Sequence, residues 1–492
     1  MRDQTDTDHQ AQRPTAPSPV LKQVLPVDGG FDLPRWVLDH EYTLGRDPGG
    51  AGGIALTHDG KVSKKHTRLR PSGDRIEVED LGSKNGTFVD GHRVAKAVLS
   101  DGAVLRVGNT LFVLRHEPPR LADASQAESA LHVRILGQSP EVRTLRAALS
   151  QVARSVDPVV LLGPTGAGKE LGARAIHELS ARGRGPYETV NCAAIPSGTA
   201  ESELFGHEKG AFTGADRRNE GHICAAHRGT LFLDELAELP LEIQAKLLRA
   251  LQPVEGAAQR LAGKHILRIK PVGGRQDNAY DVRLVAATNI DVQSAIRAGR
   301  FREDLWQRLA VLPVRFPSLD ARPDDILPLL YHFLNEGNAP DAPTRTISAR
   351  LGELLLLHHW SGNVRELENV AKRLRLLAAG AATIDLDVVP DDLLKQLANA
   401  DVGRQRATDG DARMKAESAS DAPDQDAQRP PLTREILERL LEEHNGNRSI
   451  VARLLKRDRK TIRRRMDELG IPRTWGRSTS APADGSEDSD GE

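Results

Sequence analysis

Two cysteines, Cys192 and Cys224, are too few for a disulfide framework or a cysteine-rich zinc site in a chain of 492 residues. Both lie beside apolar or small residues and read as buried small side chains. Aromatic residues make up only 3% of the chain, which argues against a protein that stacks single-stranded bases. Neither sign of charge is in excess: 68 basic and 69 acidic residues leave a net charge of −1, so any surface for a polyanion must be local. No apolar run is long enough to span a bilayer, and the N-terminal MRDQTDTDHQ has no signal-peptide hydrophobic region. The expectation is a cytoplasmic protein without membrane contact, and the length predicts several domains.

The stretch PVVLLGPTGAGKE, Pro158 to Glu170, is the strongest local signal. An apolar run ends in Gly163, Pro164, Thr165, Gly166, Ala167, Gly168 and Lys169, and a helical pattern follows. A strand, a glycine-rich turn and a helix N-terminus let backbone N–H groups crowd around a phosphate, while Lys169 adds a point charge. Glu170 stands where Ser or Thr usually helps hold magnesium in such loops.

The chain in front of this stretch divides in two. Residues 1–25 are polar and predict a disordered tail, in which Thr5, Thr7 and Thr15 lie. Residues 26–117 carry short alternating strands between Gly, Asp and Asn turns, the pattern of an all-β sandwich. Its loops present Gly45-Arg46, then Ser63-Lys64-Lys65-His66, then Ser83-Lys84-Asn85-Gly86-Thr87. These elements resemble the forkhead-associated (FHA) domain, a reader of phosphothreonine peptides. The resemblance implies that Arg46, Ser63, Lys64 and Asn85 bind phosphothreonine, and that His66 braces the loops. A phosphate with roughly −1.5 to −2 charges suits a guanidinium fork, a hydroxyl and an ammonium. The family often has arginine at the Lys64 position. A sandwich used only for protein contacts is the plainer alternative. Residues 118–132 read as a linker.

From 133 to 318 four nearly continuous apolar runs (PVVLLG, TLFLDE, VRLVAATN, VLPVRF) alternate with helical patterns, which predicts an α/β core with a parallel sheet. Ligands bind beyond the carboxyl ends of such strands. Asp234 and Glu235 follow one of them, suited to hold magnesium and to polarise a water; Asn289 ends another, where an amide could sense a γ-phosphate. By spacing alone, Arg302 and Arg308 read as a solvated helix face paired with Glu303 and Asp304. Gly210, Ala211, Phe212, Thr213, Gly214 and Ala215 read either as an exposed apolar finger or as a buried loop. Residues 319–396 are helical and read as a lid, 397–430 as a linker.

The block VNCAAIPSGTAESELFGHEKGAFTGA closely resembles the central domain of bacterial sigma-54-dependent activators, which are enhancer-binding AAA+ ATPases. The resemblance runs from ILGQSP to WSGNVRELEN, about half the chain. It implies ATP and Mg2+ as cofactors, with Lys169 as the phosphate-loop lysine and Glu170 as the family's usual residue there. Asp234 becomes the magnesium acid, Glu235 the water-activating acid, and Asn191 the asparagine that pairs with it. Asn289 becomes the first sensor and Arg365 the second. Arg302 and Arg308 are implied to reach the neighbouring subunit's ATP in a ring. Residues 210–215 are implied to engage sigma-54. Two departures stand out: Ser361 replaces the usual proline of the lid motif, and the segment 253–280 is longer than the family norm.

Residues 431–472 show three helical stretches, the last exposing Arg459, Lys460, Thr461, Arg463 and Arg464. They resemble the Fis-type helix-turn-helix, a dimeric binder of double-stranded DNA, with Lys456 where the family's turn usually has glycine. Residues 473–492 read as an acidic disordered tail. The whole implies an activator that binds enhancer DNA and remodels the sigma-54 RNA polymerase holoenzyme as a homo-oligomer, dimer to hexamer. The FHA domain would read a phosphothreonine protein, a Ser/Thr kinase or the chain's own tail. The rival is a DNA-binding regulator whose ATPase does not open promoters.

Overall fold

The computed structural model describes residues 17–26, 31–73, 75–118, 131, 134–252, 265–338, 344–377, 381–398, 434 and 437–438. Residues 408–492 form a separate unit, of which almost nothing is described, so the helix-turn-helix and its basic residues lie outside the described residues. The linker 118–132 falls largely outside them too, as do residues 253–264 of the lengthened 253–280 segment.

The N-terminal sandwich contains β1 (Ser18–Leu25), β2 (Arg35–Val37), β3 (Tyr42–Gly45), β4 (Gly53–Ala55), β5 (Thr67–Ser72), β6 (Arg75–Asp80), β7 (Thr87–Val89), β8 (His92–Val94), β9 (Lys96–Leu99), β10 (Val104–Val107) and β11 (Thr110–Glu117). One sheet has the order β2-β1-β11-β10-β7-β8 and the other β4-β3-β5-β6-β9. Leu21, Leu44, Leu69, Ile76, Leu105 and Phe112 fill the space between them. The sandwich begins earlier than residue 26: SPVLKQVL is its first strand, paired antiparallel with β11 from Ser18 to Leu25. Lys22 and Gln23 make that segment look solvated, yet both are buried.

The reason lies on the sheet's outer face. Side chains alternate across a strand, and β11 buries both sets. Phe112 and Leu114 face the sandwich core, whereas Leu111 and Val113 share a cluster with the lid.

The central domain places β12 (Val159–Leu162), β13 (Tyr187–Asn191), β14 (Thr230–Asp234), β17 (Arg283–Thr288) and β18 (Leu312–Arg315) in a parallel sheet of order β13-β14-β17-β12-β18. Four of these strands are the predicted apolar runs. The fifth, β13 (YETVN), is an edge strand with one buried residue, so its polar composition hid it. Between β14 and β17 lies a hairpin of β15 (Ile266–Ile269) and β16 (Asn278–Asp281).

Helix α1 (Pro140–Ala153) starts where Ser139 accepts the Val142 N–H and Pro140 supplies a preset φ. It ends on Arg283, whose guanidinium donates to the carbonyls of Val152 and Ala153. Helix α2 (Lys169–Leu179) follows the glycine-rich turn, α3 (Leu241–Ala250) follows the Asp234-Glu235 strand, and α4 (Glu303–Leu309) carries Arg308.

The lid contains α5 (Ile326–Asn335), α6 (Ala349–Leu357), α7 (Asn363–Leu377), α8 (Asp391–Ala398) and a short pair of strands, β19 (Thr346–Ile347) and β20 (Thr383–Ile384). Its core is continuous with the outer face of the sandwich: Val24, Leu25, Val104, Leu111 and Val113 cluster with Ile326, Leu327, Leu330, Leu351 and Leu355. Full burial of one such side chain contributes about 1.5–3 kcal/mol. His358 is buried, facing the Leu397 carbonyl and Glu366, while His359 pairs with Asp320. Among the described residues no group of three or more His, Cys, Asp and Glu side chains is placed to hold a metal. No described helix is long and apolar enough to cross a membrane.

Candidate functional site

At the carboxyl end of β12 the chain turns through Gly163, where an added Cβ would meet the Phe316 carbonyl oxygen at 2.7 Å. Gly166 (φ 77) is tighter still: a Cβ there would lie 2.2 Å from the Gly362 oxygen of the lid turn. Glycine is required at both positions by close approach. Lys169 opens α2 nearly buried, and its Nζ donates to the carbonyls of Gly163 (2.8 Å) and Pro164 (3.0 Å). Burial holds its ammonium below the usual lysine range, with Asp234 and Glu235 opposing that shift and Arg365 adding to it.

Asp234 ends β14, and its Oδ1 accepts the Glu235 N–H at 2.9 Å. Glu235 has a left-handed backbone, φ 52, a conformation that costs energy outside glycine and clusters at functional sites. Asn289 donates from Nδ2 to Thr165 Oγ1 at 2.9 Å and so ties the end of β17 to the phosphate loop. Asn191 is level with Asp234 in the β13–β14 register. Its side chain accepts the Ala193 N–H at 3.0 Å, and among the described residues no hydrogen bond joins it to Glu235. Cys192 beside it is buried, and that burial, with Asp234 and Glu235 nearby, pushes its thiol up to about 12, which keeps it an inert core residue. Cys224, expected to be buried, is instead half-buried.

The lid closes one cleft of about 500 Å3 over these groups. Thr165, Gly166, Ala167, Gly168, Lys169, Glu170, Asn191, Asp234 and Glu235 line one side, and Leu329, His332, Phe333 and Arg365 the other. Ile135 and Leu136 are among the other residues that line it. Asn363 holds the two sides together, and sequence reasoning missed it. Buried at φ 55, it accepts the Leu319 N–H at 2.8 Å and donates to the Thr165 carbonyl at 3.0 Å. Its only sequence signal was its place in the turn before Arg365. Ser361 does not open that turn: its carbonyl accepts from Asn363 Nδ2 at 3.3 Å, and Glu366 takes the Gly362 N–H.

Arg302 and Arg308 do not line this cleft. Arg302 forks onto Asp304 (3.0 and 2.7 Å), and Arg308 Nε donates to the Leu251 carbonyl at 3.0 Å. The loop of residues 210–215 is pinned by the Gly210 N–H to the Ala215 carbonyl (2.8 Å), and Phe212 is 46% exposed, so the buried-loop alternative does not hold. Ala215 alone of the six is buried.

On the sandwich, Arg46 is exposed and its N–H bonds the Ser63 carbonyl at 3.0 Å. Ser63 Oγ accepts the Lys84 N–H (3.2 Å), and Asn85 Nδ2 donates to the Lys61 carbonyl (2.6 Å). The loops carrying Arg46, Ser63, Lys64 and Asn85 are thus brought together. Buried His66 accepts the Ser63 N–H on Nδ1 (3.1 Å), which leaves Nε2 protonated to donate to the Gly86 carbonyl (3.2 Å). Asp80, which sequence reasoning also missed, collects Ser83 and Thr87 at the base of the third loop.

The Sigma-54 interaction domain matches residues 135–315, the AAA+ ATPase lid domain 320–406, the FHA domain 42–108, and the bacterial regulatory protein Fis family 429–469. The response regulator protein PilR of Pseudomonas aeruginosa is 39% identical over 354 residues, covering 72% of this chain and 73% of PilR. The chain belongs to the sigma-54 activator family. The DNA-binding transcriptional regulator NtrC of Azospirillum brasilense is 43% identical to this activator over 276 residues, 56% of this chain, which spans 54% of that relative's length. The crystal structure of NtrX from Brucella abortus in complex with ATP is 32% identical to the activator, with 70% of this chain and 71% of that chain covered and a TM-score of 0.46. By the four family matches, the activator's architecture is an all-β FHA sandwich, an α/β AAA+ ATPase core with a helical lid, and a Fis-type helix-turn-helix.

Proposed function

We propose that this chain activates sigma-54 RNA polymerase with energy from ATP hydrolysis, under control of a phosphothreonine signal. The observation that carries the reading is the single cleft in which Lys169, Asp234, Glu235 and Arg365 meet. Asp234 offers a carboxylate oxygen of the hard-donor kind that Mg2+ takes, beyond the one used by the Glu235 N–H. Mg2+ there would neutralise charge on the transferring phosphoryl group. Lys169 would bind the β- and γ-phosphates, Glu235 would orient and deprotonate the attacking water, and Asn289 would report the γ-phosphate to the loop through Thr165. Arg365 would carry that state to the lid.

Arg302 and Arg308, outside their own cleft, are available to a neighbouring subunit's ATP, which makes a homo-oligomer the active form. The exposed loop of Gly210, Ala211, Phe212, Thr213, Gly214 and Ala215 would engage sigma-54. The C-terminal residues Arg459, Lys460, Thr461, Arg463 and Arg464 would hold enhancer DNA. Arg46, Ser63, Lys64 and Asn85 would bind a phosphothreonine protein or peptide, from a kinase or from the chain's own Thr5, Thr7 or Thr15.

The test is transcription from a sigma-54 promoter with wild type, Lys169→Ala, Thr213→Ala and Arg46→Ala proteins, with and without a threonine kinase. The first two variants should be inactive, and the third should lose its response to the kinase. Normal promoter opening by Thr213→Ala would leave only a DNA-binding regulator.

A further inference from the structure

The FHA sandwich meets the lid through contacts that a detachable sensor would not need. Lys22 of β1 is buried, with Nζ 2.5 Å from both Glu117 of its own sheet and Asp324 of the lid. Arg115 of β11, also buried, donates to the Ala321 carbonyl (3.0 Å), lies 3.3 Å from Asp324 and pairs with Glu141 of α1. Arg106 of β10 stacks on Phe88 at 3.7 Å and donates to Glu353 of α6 at 2.8 Å. Gly352 lies hard against this face: a Cβ on it would stand 2.9 Å from Leu111 Cδ1. Transient interfaces are rich in solvated polar contacts. This one combines a shared apolar core with buried charges that would be stranded by separation.

The same lid elements form the nucleotide cleft. On α5, Leu327 and Tyr331 turn to the sandwich side, Leu327 near Leu111 across Gly352 and Tyr331 in a cleft with Leu25. Leu329, His332 and Phe333, on the other side of α5, line the nucleotide cleft. The Phe31 ring lies 6.5 Å from His332, so the sandwich's own chain backs the cleft wall. Just before α5, Asp325 takes the N–H groups of Gln138 (2.6 Å) and Ser139 (3.1 Å), two residues beyond the cleft-lining Leu136.

We infer that the FHA sandwich is a permanently docked outer layer of the lid, and that its docking sets the nucleotide affinity of the cleft. The inference rests on the cleft being the ATP site. It makes the sandwich a part of the ATPase and excludes a tethered repressor that leaves on activation. It also fixes where a phosphothreonine signal enters. Asp59, which precedes the Ser63 loop, holds the Asn109 N–H (2.5 Å) and the Thr110 hydroxyl (3.1 Å) at the head of β11. The reader loops are therefore tied to the strand whose second face is the lid.

Full-length wild type, Arg106→Glu, and the charge reversal Arg106→Glu with Glu353→Arg test this. Two readouts are needed: hydrogen exchange over residues 326–335 and 349–357, and affinity for a fluorescent ADP analogue. Wild type should protect both segments. Arg106→Glu should expose them and weaken the analogue by about fivefold or more, the size of an ordinary coupling between sites, and the reversal should restore both. Leu111→Asp, on the lid-facing side of β11, should reproduce the loss, with unchanged exchange in β5 and β6 reporting an intact sandwich. The inference is overturned if protection is lost while affinity is unchanged, if wild type is as unprotected as Arg106→Glu, or if both variants keep wild-type protection. A wild-type chain that binds no adenine nucleotide defeats the ATP reading instead, and the exchange data still decide whether the sandwich is docked.

Discussion

Asn363 of the lid donates its side-chain amide to the carbonyl of Thr165 in the phosphate loop at 3.0 Å, across 198 positions of sequence. The same side chain accepts the Leu319 N–H. One amide thus fixes lid, phosphate loop and the entry to the lid in a single arrangement.

Replacing Asn363 by alanine strands a buried N–H and leaves a non-glycine residue at φ 55 without its local hydrogen bonds. The expected loss is about 1–3 kcal/mol of stability, measured by denaturant unfolding of the full chain. Asn363→Asp keeps the acceptor for Leu319 and loses the amide donor to Thr165, together with its longer contact to the Ser361 carbonyl. It should unfold nearer to wild type yet bind nucleotide more weakly, which separates the two roles.

Glu235→Gln keeps the size of the side chain and removes its basicity. Nucleotide should still bind, while hydrolysis in a single-turnover assay should fall by about 10²–10⁴, the range of a general base. An unchanged rate would remove Glu235 from the mechanism.

Arg302 and Arg308 lie outside their own cleft. Arg302→Ala and Lys169→Ala proteins should each be inactive alone, the first by about 10³–10⁵ if it supplies a trans arginine. Mixed, they should recover ATP hydrolysis, since a Lys169→Ala subunit can still lend its arginine to a neighbour. No recovery in mixed oligomers verified by native mass spectrometry would count against the trans role.

Burial holds His66 below its ordinary value of 6.5, opposed by its bond to Gly86 and by Asp80 and Asp59. Protons therefore favour the unfolded chain at this site. Its contribution to stability is complete above pH 6.5 and is lost as pH falls from there through the lower folded value. Protonation also removes the Nδ1 acceptor from the Ser63 N–H. An NMR titration should place the His66 midpoint below 6.5, with the Ser63 amide shifting in step.

The motif-bearing parts of the molecule were legible because their chemistry is local. The phosphate loop, the Asp234-Glu235 strand end and the sandwich loops each announce themselves within a few residues. Edge strand β13 was hidden because only Val190 of its five residues is buried. Strand β1 was hidden because Lys22 and Gln23 read as solvent-facing, and nothing nearby in sequence discloses that Asp324 waits for Lys22. Asn363 was missed because its partners, Thr165 and Leu319, are far away in sequence. Long-range partners of polar residues are what a periodicity cannot carry. The two-sided burial of β11 was equally silent: TLFVLRHE looks like any strand of a sandwich, and only the packed lid explains why its second face is apolar.

That second face bears on how such a protein is assembled from inherited parts. A sandwich whose outer sheet keeps Leu111 and Val113 for the lid is a poor candidate for transplantation. Cut free, it would present a greasy, charged stripe to water and tend to self-associate; grafted onto a foreign ATPase, it would lack the matching Asp324, Gly352 and Glu353. Lineages carrying this arrangement are expected to inherit reader and lid as a matched pair, with changes on β10 or β11 answered by changes on α6.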